Sequence, residues 1–156
     1  MDALPRVSII VPMRNEMAWI DRCLGAILAQ DYPSDRMELI VVDGMSDDAS
    51  YEHLSDLAKR DPRLRVLRNP RRIVPSSLNL AIREARGEVI VRVDAHTEIA
   101  PDYVRVGAEI LARALGADEP EIAKCLSGPL EHKHRLVFAQ GVERFGEQRL
   151  SRYRFR

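Results

Sequence analysis

Three short stretches of the chain are apolar at almost every position: Val7-Ser8-Ile9-Ile10-Val11, Leu39-Ile40-Val41-Val42 and Val89-Ile90-Val91-Arg92-Val93. A strand with one wet face alternates apolar and polar side chains. Runs without alternation, rich in β-branched residues, fit strands buried on both faces, and such strands belong to parallel sheets covered by helices. Arg65-Val66-Leu67-Arg68 is a weaker candidate for a further strand.

Between these runs the apolar spacing changes to that of a helix. Ile20, Leu24, Ile27 and Leu28 share one helical face, as do Tyr51, Leu54, Leu57 and Ala58, then Leu78, Ala81, Ile82 and Ala85. Val104, Ala108, Leu111 and Leu115 form a fourth stripe, with Pro101 suited to the first helical position. Gly87 and Gly116 read as helix stops. The order is β-α-β-α-β-α-β-α. Right-handed crossovers turn it into an open, mainly parallel α/β sheet with helices on both faces.

Residues 117–156 follow a different pattern. Leu126–Leu130 is a candidate short strand, and Phe138, Val142 and Phe145 have helical spacing broken by Gly141 and Gly146. The expected organisation is a ligand-binding α/β unit over residues 1–116, then a short C-terminal segment, 117–156, without a clear pattern.

The 156 residues carry 24 Lys+Arg and 24 Asp+Glu, a formal net charge of zero. That lacks the electrostatic footprint of a general nucleic-acid binder, so no nucleic-acid partner is expected. Cys23 and Cys125 are far apart and form no CxxC pair, which points to a reduced, cytoplasmic compartment. No apolar run approaches the roughly 20 residues of a membrane-crossing helix.

Ligands of such sheets bind beyond the carboxyl ends of the strands. Three segments lie there: Pro12–Glu16, Asp43–Asp48 and Asp94–Glu98. The glycine-rich dinucleotide fingerprint and the GxxxxGK[ST] phosphate loop are both absent. Asp94 and His96 are two apart, so in extended chain they point the same way and can share one cation. One carboxylate and one imidazole leave positions open for diphosphate oxygens, and the imidazole suits Mn²⁺ better than Mg²⁺. On spacing alone, the alternative is that Asp94 caps the next turn and His96 is an ordinary loop residue. Asp43 is a candidate for accepting hydrogen bonds from a base or ribose, while Asp47 and Asp48 are expected to cap the following helix.

Together these segments resemble family 2 glycosyltransferases of the GT-A fold. The resemblance rests on Val7-Ser8-Ile9-Ile10-Val11-Pro12-Met13-Arg14-Asn15-Glu16, on Val42-Asp43-Gly44-Met45-Ser46-Asp47-Asp48, on Asn79-Leu80-Ala81-Ile82 with Ala85-Arg86-Gly87-Glu88, and on Val93-Asp94-Ala95-His96. It covers residues 7 to about 115. The last motif is most similar to bacterial exopolysaccharide transferases of the succinoglycan type. The resemblance implies a Rossmann-like sheet that transfers a sugar from a nucleoside diphosphate donor, with uridine as the expected base, to a saccharide or polyprenyl-linked acceptor. It implies an inverting hexosyltransferase of polysaccharide biosynthesis. Asp94 and His96 would hold Mn²⁺ or Mg²⁺. Pro12, Asn15, Glu16, Asp43 and Asp94 would bind the donor. Arg71 and Arg72 would reach the base or diphosphate, or else sit in a solvated loop.

The chain departs from that family after Asp94. No E-D pair that would supply a general base occurs among the later residues; Glu131, Glu143 and Glu147 cannot be told apart, so the base is unassigned. His132-Lys133-His134 reads as surface rather than as a metal site. The chain therefore reads as a donor-binding half: a truncated product, a fragment, or one part of a larger assembly such as a homo-oligomer. The alternative function is a nucleotide-sugar-binding module without turnover. Residues 143–156 hold five Arg and two Glu interleaved with Phe145, Tyr153 and Phe155. That pattern raises the expectation of peripheral contact with the inner face of the cell membrane.

Overall fold

The structure is a computed structural model that describes residues 4–116 and 136–139. Five strands, β1 (Val7–Met13), β2 (Met37–Asp43), β3 (Leu64–Arg68), β4 (Val89–Arg92) and β5 (Leu136–Ala139), form one sheet. Four helices accompany them: α1 (Ile20–Leu28), α2 (Ser50–Ala58), α3 (Val74–Glu84) and α4 (Tyr103–Gly116). Every pairing in the sheet is parallel, and the strand order is β3-β2-β1-β4-β5.

The continuous apolar runs account for this arrangement. All seven residues of β1 are buried, and so are six of the seven in β2. One face of the sheet presents Val7, Ile9, Val11, Leu39 and Val41 to residues of α1, α2 and α4, including Ile27, Leu54 and Val104. The opposite face presents Ile10, Ile40, Val42 and Ile90 to Ala81 of α3 and to Ala85 just beyond it. Each fully buried aliphatic side chain contributes about 1.5–3 kcal/mol. Helices thus cover both faces, as the patterning predicts.

A polar network fixes the strands at their amino ends. Ser8 Oγ donates to Glu38 Oε1 at 2.6 Å, and the N–H of Gly87 donates to Ser8 Oγ at 2.8 Å. Glu38 Oε1 also accepts from the N–H of Arg86 at 2.6 Å, and Arg65 bonds the carbonyl and carboxylate of Glu84 at 2.9 Å each. Gly87 is required by close approach, since a Cβ there would lie 2.5 Å from the backbone nitrogen of Ser8.

Some expectations shift. Pro101 lies in the turn that leads into α4, whose first residue is Tyr103. Val104 and Ala108 are buried as expected; the side chains of Leu111 and Leu115 lie outside those described. Phe138 belongs to β5, paired with Val91, rather than to a helix. Its spacing to Val142 and Phe145, four and seven residues, therefore does not put it on a helical face with them. The candidate strand Leu126–Leu130, together with Val142 and Phe145, lies outside the described residues.

Candidate functional site

The strand order reverses at β1. From there β2 and β3 run outward on one side, and the chain then crosses over to β4 and β5 on the other. Sheets of this class bind ligands beyond the carboxyl ends of their strands, beside such a switch point. A cleft of about 310 Å³ lies there. Pro12 at the end of β1 and Arg14 and Glu16 in the loop after it line the cleft, with Arg92 at the end of β4 and Asp94, Ala95 and His96 just beyond. Gly44 contributes from the loop after β2, and Arg72, Ile73, Val74 and Ser77 from the start of α3 and the loop before it.

Of the expected site residues, Pro12, Glu16, Arg72, Asp94 and His96 therefore share one cleft. Asp94 is half-buried, and its Oδ1 accepts two hydrogen bonds from Arg92, from Nε at 3.1 Å and from Nη2 at 2.9 Å. Its carbonyl accepts the N–H of Thr97 at 2.9 Å, which tightens the turn carrying His96. His96 Nδ1 stands 3.8 Å from Glu16 Oε1, which links the two loops across the cleft. Among the described residues no group of three or more His, Cys, Asp or Glu stands together as a self-sufficient metal site. Asp94 and His96 both line the cleft, and a carboxylate and an imidazole are donors of the kind a divalent cation takes alongside phosphate oxygens.

Asp43, Asn15 and Arg71 are not among the residues that line the cleft; Asp43 is buried, whereas Asn15 and Arg71 are exposed. The Asp43 side chain is fully buried at the end of β2. Its two oxygens accept the N–H of Ser46 at 3.1 and 3.2 Å, and Arg68 Nε lies 3.5 Å from Oδ2. Asn15 joins the first two loops: its N–H donates to Ser46 Oγ at 2.9 Å, and its Oδ1 accepts the N–H of Asp47 at 3.0 Å. Arg71 is tethered through its N–H to Asn69 Oδ1 at 3.1 Å. Asn69, itself buried, donates from Nδ2 to the Ile73 carbonyl and to the Ser76 and Ser77 hydroxyls. That network shapes the entry to α3 and so places Arg72.

Asp48 partly meets its capping expectation. Its Oδ1 accepts the N–H of Ser50 at 3.1 Å in the first turn of α2, while Oδ2 accepts the N–H of Met17 at 3.2 Å. The hydrogen bond from the Ser50 hydroxyl holds the Asp48 carboxyl below its usual range. Asp47 makes no capping bond; its backbone N–H donates to Asn15.

Four loop residues at this edge adopt the left-handed region without being glycine: Asn15 at φ 56°, Met45 at φ 63°, Ala49 at φ 67° and Arg72 at φ 61°. Each conformation costs roughly 1–2 kcal/mol in a residue that bears a Cβ. One such residue follows β1, two follow β2 and one follows β3, so the strain collects where ligands bind in this class of sheet.

Arg14 and Arg92 were not among the expected site residues. For Arg92 a signal existed: it stands two before Asp94, and strand periodicity puts both on one face. The run Val89–Val93 masks it as a polar interruption of a core strand. Cys23 lies close by, with Sγ 3.7 Å from the Asp94 carbonyl. Burial pushes its thiol up to about 12, so it remains protonated and is no nucleophile. His132–His134, Glu131, Glu143, Glu147 and the basic tail lie outside the described residues.

Comparison with known proteins bears on this geometry. The succinoglycan biosynthesis protein ExoA of Rhizobium meliloti (strain 1021) is 31% identical over 134 residues, 85% of this chain and 40% of that protein. A dolichyl N-acetyl-alpha-D-glucosaminyl phosphate 3-beta-D-2,3-diacetamido-2,3-dideoxy-beta-D-glucuronosyltransferase of Methanococcus voltae is 29% identical over 119 residues, 75% of this chain and 37% of that protein. Among solved structures, the mannosyltransferase PcManGT from Pyrobaculum calidifontis, in complex with GDP-Man and Mn²⁺, superposes with a TM-score of 0.63. It is 28% identical, and the match covers 85% of this chain and 44% of that one. The chain thus spans well under half the length of these relatives. The open parallel sheet is the GT-A arrangement. The family model described as glycosyl transferase family 2 matches residues 8–141, and the chain belongs to that family.

Proposed function

We propose that the cleft binds a nucleoside diphosphate sugar, with uridine as its base, and serves sugar transfer to a saccharide or polyprenyl-linked acceptor in polysaccharide biosynthesis. The observation that carries this reading is the gathering of Arg14, Arg72, Arg92, Asp94 and His96 around one cleft at the switch point of a parallel sheet. Three guanidiniums suit a diphosphate, because each offers a planar fork of donors to phosphate oxygens. The solved relative with GDP-Man and Mn²⁺ supports a donor of this class and a divalent cation.

The residues divide the work. Pro12 and Glu16 form the floor beside the nucleoside, and Arg72 reaches the diphosphate, with Arg71 beside it on the rim. Asn15 and Asp43 act indirectly by holding the loops after β1 and β2. Asp94 and His96 would hold a divalent cation, which when bound would supply Lewis acidity toward the diphosphate leaving group. Leaving-group charge is further met by the arginines, which stay fixed as it develops. An acceptor hydroxyl must lose a proton during attack, and inversion requires a carboxylate on the side opposite the diphosphate. Among the described residues that line the cleft, Glu16 and Asp94 are the only carboxylates, and this reading gives both to the donor. That observation favours a second reading, a donor-binding module without turnover of its own.

Work at the cytoplasmic face of the membrane fits the use of a nucleotide-activated donor. Among the described residues no helix is long and apolar enough to cross a membrane.

Calorimetric titration of UDP with Mn²⁺ and with EDTA tests the donor site. Binding strengthened by Mn²⁺ is expected, and no binding in either condition overturns the reading. Product analysis with a UDP-sugar and a saccharide acceptor then separates the two readings. Loss of a general base alone removes a factor of about 10²–10⁴ in rate. Robust transfer by the 156-residue chain would reject the module without turnover.

A further inference from the structure

Arg92 and Asp94 are both half-buried on the cleft wall, two residues apart at the end of β4. Arg92 donates from Nε and Nη2, and both bonds reach the same oxygen, Oδ1 of Asp94. Oδ2 of Asp94 and Nη1 of Arg92 make no hydrogen bond to any described residue. One carboxylate oxygen is thus spoken for by a cation of the protein itself, and one side of the guanidinium has spare donors.

Resting on the donor-site reading above, we propose that Arg92 is a resident counter-ion of the cleft that exchanges partners during loading. Before loading it neutralises Asp94. A divalent cation that takes the Asp94 carboxylate displaces the guanidinium, which then serves phosphate oxygens of the donor. Electrostatics gives the direction. A fixed positive charge 2.9 Å from a metal-ligating carboxylate opposes a second cation there. The same charge attracts a diphosphate, and a guanidinium matches phosphate oxygens better than an ammonium does. A residue that only orients Asp94 would act differently, because its loss would weaken the metal and the nucleotide together.

The two ligands therefore respond to one substitution in opposite directions. In Arg92→Gln, the affinity for Mn²⁺ alone, read by electron paramagnetic resonance of the free ion, rises roughly fivefold. The affinity for UDP in EDTA, read by calorimetry, falls about tenfold or more. Arg92→Lys keeps the charge but not the fork. Its Mn²⁺ affinity stays near that of the unaltered chain, and its metal-free UDP affinity falls between the other two. Unchanged or weaker Mn²⁺ binding in folded Arg92→Gln overturns the proposal, and so does metal-free UDP binding that is absent from the unaltered chain or undiminished by the substitution. Should Arg92→Gln fail to fold, a Lys variant whose metal-free UDP affinity equals that of the unaltered chain overturns it as well. Failure of the donor-site reading is distinct: the unaltered chain would then not bind UDP even with Mn²⁺.

Discussion

Asp43 and Arg68 are Cα partners in the register of β2 and β3, and Arg68 Nε lies 3.5 Å from Asp43 Oδ2. The same guanidinium sits 4.1 Å over the ring of Tyr51 on α2. A fully buried carboxylate thus joins the second strand, the third strand and, through Arg68, the second helix at the carboxyl end of β2. Asp43→Ala leaves the Ser46 N–H without its acceptor and Arg68 without its counter-charge. The expected loss of stability is about 1–3 kcal/mol, read by urea denaturation. UDP affinity should fall as well, since the loop carrying Gly44 loosens. A folded variant with unchanged denaturation midpoint and unchanged UDP affinity would refute the assignment.

Asp94→Asn removes the charge that binds the cation while keeping the shape of the side chain. UDP affinity in Mn²⁺ should then drop at least about tenfold, toward the value measured in EDTA. Retention of the full Mn²⁺ enhancement would show that Asp94 does not hold the ion.

Gly87→Ala tests the amino-end network. The added Cβ would meet the Ser8 nitrogen at 2.5 Å and the Ser8 hydroxyl at 2.7 Å, and neither is the free end of a flexible side chain. Overpacking of this kind costs about 1–3 kcal/mol and sometimes more. Thermal unfolding should show a lowered Tm, and a Tm equal to that of the unaltered chain would contradict the close approach.

Alkaline pH should destabilise the fold through Cys23 and Tyr32. Burial raises both, Cys23 from 9.0 to about 12 and Tyr32 from 10.0 to about 12. The unfolded chain therefore loses these protons first. Their contribution is complete below pH 9 and fades as pH rises toward 12. Urea midpoints measured from pH 8 to pH 11 should fall. Cys23→Ser, a polar side chain that stays protonated in both states, should flatten part of that fall relative to its own value at pH 8.

Legibility from sequence differed by residue and for physical reasons. The strand runs through Val7–Val11, Leu39–Val42 and Val89–Val93 were readable because burial on both faces leaves no polar alternation to disguise them. That Asp94 and His96 line the cleft was readable because the end of a parallel strand is where such sheets bind ligands. The burial of Asp43 was not, since it depends on the loop folding its Ser46 N–H back over the carboxylate. Nor was the latch formed by Asn15, whose partners are 31 and 32 residues away. Phe138 misled because residues three and four apart can belong to different elements as easily as to one helix.

The contact between Ser8 and Gly87 also sets the phase of β4. Side chains along a strand alternate in direction, so displacement by a single residue exchanges inside for outside. Moved by one place, β4 would turn Arg92 and Asp94 to where Val91 and Val93 now lie, burying two charges and handing the cleft an oily wall. A hydroxyl and a glycine at the far end of the sheet thus decide whether its working end is chemically competent or inert.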